Sequence, residues 1–164
     1  MKRNTLFFIL MLILAGEFAN AQLQGAATCP PFKVDVMEGS VNELYPKSAI
    51  VEIKTVFPCS SITVEKDSVS KCAGVFFKDK GIYFYTERKY IEIGEHFNGK
   101  INPSLMGVSR NNLFKLLGYP KLKNTDWDAF QMGYGTLILY YNKAGRINKI
   151  QMSSKNTEAI KLCE

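Results

Sequence analysis

The chain has 164 residues and a formal net charge of +6, with basic and acidic residues intermingled along its length. Scattered charge gives no concentrated basic segment for nucleic acid, although a positive protein still attracts anionic partners such as an acidic protein face. Past the N-terminus, no stretch approaches the roughly 20 apolar residues of a membrane-spanning helix, which argues against an integral membrane protein.

The N-terminus has the three parts of a secretory signal peptide. Lys2 and Arg3 precede an apolar run from Leu6 to Ala15, and Ala19-Asn20-Ala21 supplies a small-x-small cleavage pattern. We expect cleavage after Ala21, which lowers the net charge to +5 and leaves residues 22–164 as one exported domain. The expected location is the periplasm or the medium. A buried N-terminal helix is the alternative.

Four cysteines remain after cleavage: Cys29, Cys59, Cys72 and Cys163. An even number in an oxidising compartment predicts two disulfides, for which three pairings exist. We favour Cys59–Cys72, which closes a local loop, and Cys29–Cys163, which joins the two ends. A zinc site is not expected, because the sequence has no C-x-x-C and only one histidine. Free thiols are the alternative.

The N-terminal half is predicted to be rich in strands. Val51, Ile53 and Thr55 alternate with Ile50, Glu52 and Lys54, which indicates a strand that ends at Pro58. A turn at 78–81 joins two strands of a hairpin, and 94–103 is predicted to be loop. The predicted strands are residues 32–36, 48–57, 61–65, 74–77, 82–86 and 90–93.

The next predicted element is a short helix between Ser109 and Leu117. Ser109 is a suitable N-cap, Leu113, Leu116 and Leu117 form one apolar stripe, and Gly118 with Pro120 ends the helix. Two turns are too short to be stable alone, so the helix must lie on a sheet.

A polar loop is expected over 119–135, followed by a hairpin. Its strands are 137–141 and 146–152, joined by a turn at 142–145, and a last helical turn falls in 156–162. The fold class is therefore α+β: a curved antiparallel sheet with one or two short helices packed on it, stabilised by disulfides.

Residues 107–152 resemble the exported modules of the SmpA/OmlA type, whose fold is shared with the β-lactamase inhibitor protein. The resemblance rests on Gly107, Ser109, Leu113, Leu117, Gly118, Pro120, Trp127, Tyr134, Tyr140, Asn142, Gly145 and Ile150. It implies short helices on a curved sheet and a role in binding other proteins. The chain departs from the lipid-anchored members, because Cys29 lies too far beyond the apolar run. It is also similar, more loosely, to periplasmic immunity and inhibitor proteins.

No catalytic constellation is evident. His96 has no nucleophile and acid placed beside it by the sequence, and a loop position is the expected reading. The pairs Glu92/Glu95 and Asp126/Asp128 are spaced like solvated loop acids, and no EF-hand or phosphate-loop pattern occurs. No metal or cofactor is expected, and we do not expect an enzyme.

Aromatic residues concentrate after the helix, where interface anchors are expected because they bury large areas at little entropic cost. The predicted contact residues are Tyr119, Asp126, Trp127, Asp128, Phe130 and Tyr134. If Trp127 is core instead, the surface moves to Tyr83, Tyr85, Tyr140 and Tyr141. The expected function is an inhibitor or immunity protein that neutralises a toxin or hydrolase by steric occlusion. An envelope scaffold and a small enzyme are the alternatives.

Overall fold

The structure is a computed structural model that describes residues 29–59, 63–65 and 72–163. The expected signal peptide, residues 1–21, lies outside the described residues. Eight antiparallel strands form the main sheet, in the order β3-β4-β5-β6-β11-β10-β9-β8. They are β3 (Thr63–Glu65), β4 (Gly74–Phe77), β5 (Ile82–Tyr85), β6 (Tyr90–Ile93), β8 (Leu122–Lys123), β9 (Trp127–Met132), β10 (Gly135–Tyr141) and β11 (Ile147–Ser153).

A second, three-stranded sheet contains the N-terminal part of the described chain. Strand β1 (Lys33–Asp35) lies between β2 (Ser40–Val41), which is antiparallel to it, and β7 (Lys100–Asn102), which is parallel. The helices are α1 (Ile50–Val56) and α2 (Phe114–Leu117). The predicted α+β class with two disulfides is confirmed. Among the described residues, neither helix has the length and apolar character needed to cross a bilayer.

One face of the main sheet forms the core. Alternate residues of a strand point to opposite faces, and the inward set is apolar and buried, as at Phe77, Phe84 and Leu139. Phe32 and Phe57 cover this face, stacked on each other with ring centroids 4.2 Å apart. The core is therefore closed by the β1 region and the end of α1.

The strand predicted over 48–57 is wrong, because residues 50–56 form helix α1. Ile50, Ile53 and Phe57 follow the i, i+3, i+7 spacing of a helix, and Ile53 and Phe57 are buried. The Glu52 carboxylate accepts a hydrogen bond from the Ala49 amide at 2.8 Å, which satisfies one free donor at the start of the helix. Val51 remains exposed, although the strand prediction placed it beside Ile53.

Two predicted loops contain strands. Within 94–103, residues 100–102 form β7 and pair with β1, and within 119–135, residues 127–132 form β9 and pair with β10. Of the helical turn predicted in 156–162, only one hydrogen-bonded turn forms, in which the Ala159 amide donates to the Asn156 carbonyl at 2.9 Å, and no helix follows it. The hairpins β4–β5 and β10–β11 and strand β6 are confirmed.

The favoured disulfide pairing is wrong, since the bonds are Cys29–Cys59 and Cys72–Cys163. Stacking of Phe32 on Phe57 brings the nearby Cys29 and Cys59 together, with Cα atoms 4.8 Å apart. The C-terminal segment crosses the outer face of the sheet, where the Cys163 amide donates to the Tyr90 hydroxyl at 3.1 Å. This contact holds Cys163 beside the start of β4, where Cys72 lies.

Candidate partner-binding surface

The six predicted contact residues divide between surface and interior. Tyr119 is 84% exposed, Asp126 is exposed and Trp127 is half-buried. Asp128 and Phe130 are each only 3% exposed. Because β9 is a sheet strand and not a loop, these two point inward, and they are removed from the set of partner contacts.

Tyr134, the sixth residue, lies against Gly39. A Cβ atom at Gly39 would collide with the Tyr134 ring, so glycine permits this close packing. The Tyr134 hydroxyl is buried and has no hydrogen-bond partner among the described residues. Burial, with a smaller effect from Asp35, raises the pKa of this hydroxyl above its ordinary value. Tyr134 is therefore mainly a packing residue.

The alternative tyrosine surface is also divided. Tyr83 and Tyr85 are half-buried and share the outer face of β5, while Phe84 points into the core, as the alternation predicts. Tyr140 is half-buried on the same outer face, but Tyr141 is buried.

Sequence reasoning missed Arg110, which lies in a 3-10 turn just before α2. Its Nε and Nη2 donate to the two carboxylate oxygens of Asp128 at 2.9 and 2.5 Å. Its Nη1 donates to the Thr125 carbonyl at 3.0 Å, and Nη2 also donates to the Asn124 carbonyl at 2.7 Å. One side chain thus connects the start of the helical region to the turn before β9.

Tyr141 completes this network. Its hydroxyl donates to Asp128 Oδ2 at 2.8 Å, and the Arg110 guanidinium lies 4.8 Å from the centre of its ring. Burial, together with the hydrogen bond to Asp128, raises the pKa of Tyr141 above its ordinary value. The hydrogen bond to Asp128 raises the pKa of Arg110 as well. The Asp128 carboxylate is therefore buried but fully engaged.

The chain between the two ends of this network exposes apolar side chains. We call it the 114–122 segment, and its exposed apolar residues are Phe114, Leu116, Tyr119 and Leu122. The rings of Phe114 and Tyr119 touch, with centroids 4.4 Å apart. Leu113 alone of the predicted leucine stripe is fully buried, while Leu116 points to solvent. The sequence LFKLL, residues 113–117, indicated this exposure, because so short a helix cannot bury four apolar residues on one face.

A groove of about 500 Å³ lies beside this segment, on the outer face of the main sheet. Its floor includes Trp127, Ile138 and Tyr140, and its wall is the C-terminal segment with Thr157, Ile160 and Leu162. Leu122 belongs to both the groove and the 114–122 segment. We call this space the outer groove.

The structure does not bring His96, or the pair Asp126 and Asp128, into a catalytic arrangement. His96 is exposed. Asp126 is exposed while Asp128 is paired with Arg110, so the two do not act as a matched pair. Within residues 29–59, 63–65 and 72–163, no group of three His, Cys, Asp or Glu residues could hold a metal ion.

These features define a disulfide-bonded α+β protein with a fastened, exposed apolar segment. Comparisons with protein-family models, with curated proteins and with solved structures find no match to this chain. The resemblance of residues 107–152 to the SmpA/OmlA modules therefore stays a prediction.

Proposed function

We propose that this protein is an exported inhibitor or immunity protein, which binds a secreted toxin or hydrolase through the 114–122 segment and covers its active cleft. The observation that carries the proposal is the exposure of Phe114 (53%) and Tyr119 (84%) in mutual contact. Aromatic side chains dominate the energetics of protein interfaces when a partner buries them. The two disulfides are consistent with an exported protein.

The attachment of the segment supports binding. The Arg110 network fastens both of its ends to the sheet, so binding need not immobilise a flexible loop. A preorganised contact surface loses less conformational entropy in a complex, which raises affinity without new contacts.

The charges around the segment point to the chemistry of the partner. Lys115, Lys121 and Lys123 are exposed and make no ion pair with a described residue, while Asp126 is the exposed acidic residue nearby in the chain. A partner with an apolar pocket bordered by carboxylates would match this surface and associate faster at low salt.

Affinity capture with the mature chain tests the proposal. The captured protein should be a hydrolase or toxin whose activity falls when the chain is added. The double variant Phe114→Ser/Tyr119→Ser should bind at least about 30-fold more weakly, since loss of even one central aromatic anchor costs about 2 kcal/mol or more. Val51→Ser is the matched control, because Val51 is also exposed and apolar but lies on α1.

Two results would count against the proposal. Equal binding by the double variant and the wild type would remove the 114–122 segment as the contact surface. Capture of outer-membrane components alone, with no loss of any enzyme activity, would favour the scaffold alternative.

A further inference from the structure

One wall of the outer groove is formed by the C-terminal segment, so the groove is more than an open face of the sheet. The C-terminal segment is held at Cys163 by the disulfide to Cys72, and the Lys155 carbonyl accepts a hydrogen bond from the Thr136 hydroxyl at 2.7 Å. Between these points, the Thr157 hydroxyl lies 3.4 Å from Gln131 Oε1. The segment is thus attached to the sheet near its start, at Lys155 and Thr157, and at its end, at Cys163, so the groove is preformed.

The groove combines apolar walls with a single charge. Trp127, Ile138, Ile160 and Leu162 supply apolar surface, and Lys149 is the only charged residue among the described residues that line it. Small-molecule sites have this composition, with volumes of roughly 300–1,000 Å³ and a few polar groups that orient the ligand. The 500 Å³ here falls in that range.

Lys149 keeps donors for a ligand. Its Nζ lies 4.1 Å from the centre of the Tyr140 ring and 3.8 Å from Glu92 Oε2. An ammonium group has three donors, so this one ion pair leaves capacity for another acceptor. The neighbouring polar groups are already satisfied, because Tyr140 donates to Gln151 at 2.9 Å and Gln151 donates to Glu92 at 2.6 Å.

We propose that the outer groove binds a single-chain amphiphile with an anionic head, such as a medium-chain carboxylate. The apolar chain lies between the sheet and the C-terminal segment, and the head contacts Lys149. The charge of Lys149 selects an anion over a cation, and the apolar lining selects against a fully polar anion.

Trp127 gives a direct readout, because it lines the groove and is the only tryptophan in the chain. Its fluorescence is titrated with dodecanoate, dodecyl phosphate, dodecanol and dodecyltrimethylammonium, all below micelle formation, and with acetate. We expect saturable binding of both anionic amphiphiles, about fivefold tighter than dodecanol, as one exposed charge contact allows. If dodecanoate binds more tightly than dodecyl phosphate, the preferred head group is a carboxylate; if dodecyl phosphate binds more tightly, it is a phosphate.

Variants locate the ligand. In Lys149→Gln, the dissociation constants of dodecanoate and dodecanol should differ by no more than about twofold. Lys143→Gln, in the exposed turn after β10, should leave both dissociation constants unchanged. Leu162→Glu should weaken the binding of dodecanoate by tenfold or more, because the substitution places a carboxylate in the groove. No saturable change with any amphiphile, equal affinity for anion and cation, or unchanged binding by Leu162→Glu would each overturn the proposal. Phe114 and Tyr119 do not line the groove, so this site and the proposed inhibitor function can fail separately.

Discussion

Replacing Arg110 with Met removes the guanidinium but keeps much of the apolar stem. The substitution deletes the four hydrogen bonds that Arg110 makes to Asp128, Asn124 and Thr125. Asp128, only 3% exposed, then retains the Tyr141 hydroxyl as its one side-chain partner among the described residues. A buried carboxylate that loses its counter-charge is strongly destabilising.

The size of the effect follows from burial. Removing one member of a buried ion pair typically costs 3–5 kcal/mol. The Arg110 side chain is 23% exposed, so water screens part of the interaction and we expect the lower end, about 3 kcal/mol. The double variant Arg110→Met/Asp128→Leu leaves no unpaired charge, and we expect it to recover about half of this loss.

Urea unfolding followed by circular dichroism measures these differences for Arg110→Met and for the double variant. Arg146→Met is the control, because among the described residues the Arg146 side chain makes one exposed hydrogen bond, to the Gly107 carbonyl at 3.0 Å. We expect a loss below about 1 kcal/mol there. If Arg110→Met is no more damaging than Arg146→Met, or if the double variant shows no recovery, the Arg110 network does not have the role given to it here.

Three further predictions test other parts of the fold. Tyr134→Phe should raise the free energy of unfolding by about 1 kcal/mol at pH 7 because it removes a buried hydroxyl with no described partner. The raised pKa of Tyr134 adds a pH effect: the unfolded chain loses this proton first, so wild-type stability falls above about pH 10, and the variant should fall less steeply. Two variants each replace both cysteines of one disulfide by serine. The free energy of unfolding should fall by about 4.6 kcal/mol without Cys72–Cys163 and by about 3.6 kcal/mol without Cys29–Cys59, on the chain-entropy relation for sequence separations of 91 and 30. Thermal unfolding shows which of the two variants is the less stable. Ile53→Asp should prevent folding while Val51→Asp should change stability by less than about 0.5 kcal/mol, and similar effects at both positions would contradict helix α1.

Much of the main sheet could be predicted, because a hairpin can be recognised from a short stretch of sequence. Strands β4 and β5 and strands β10 and β11 are each joined by short turns that contain glycine. In β5 buried and half-buried residues alternate as the sequence pattern predicts, whereas β4 is buried throughout. Helix α1 was missed for a local reason as well. Its seven residues, IVEIKTV, satisfy alternation and helical spacing together, and only packing of Ile53 and Phe57 into the core decides between them.

The candidate site could be predicted only in part, because its key pairing is not local. Asp128 belongs to a polar stretch, and nothing in that stretch reveals that Arg110, 18 residues earlier, neutralises it. Once β9 is a sheet strand, alternation places Asp128 and Phe130 on the inner face and Trp127 on the outer face. A loop has no inner and outer face, so the loop prediction could not separate packing residues from contact residues.

The position of the buried ion pair favours a geometric role. A buried salt bridge adds little net stability compared with apolar packing, since both charges lose their hydration. The main core of this protein is apolar, yet a charged pair lies where the 114–122 segment joins the sheet. A guanidinium can reach a carboxylate and two carbonyls in one plane, which an apolar side chain cannot do. The pair therefore fixes the direction in which Phe114 and Tyr119 are presented, and a fixed direction matters most if those side chains meet a partner.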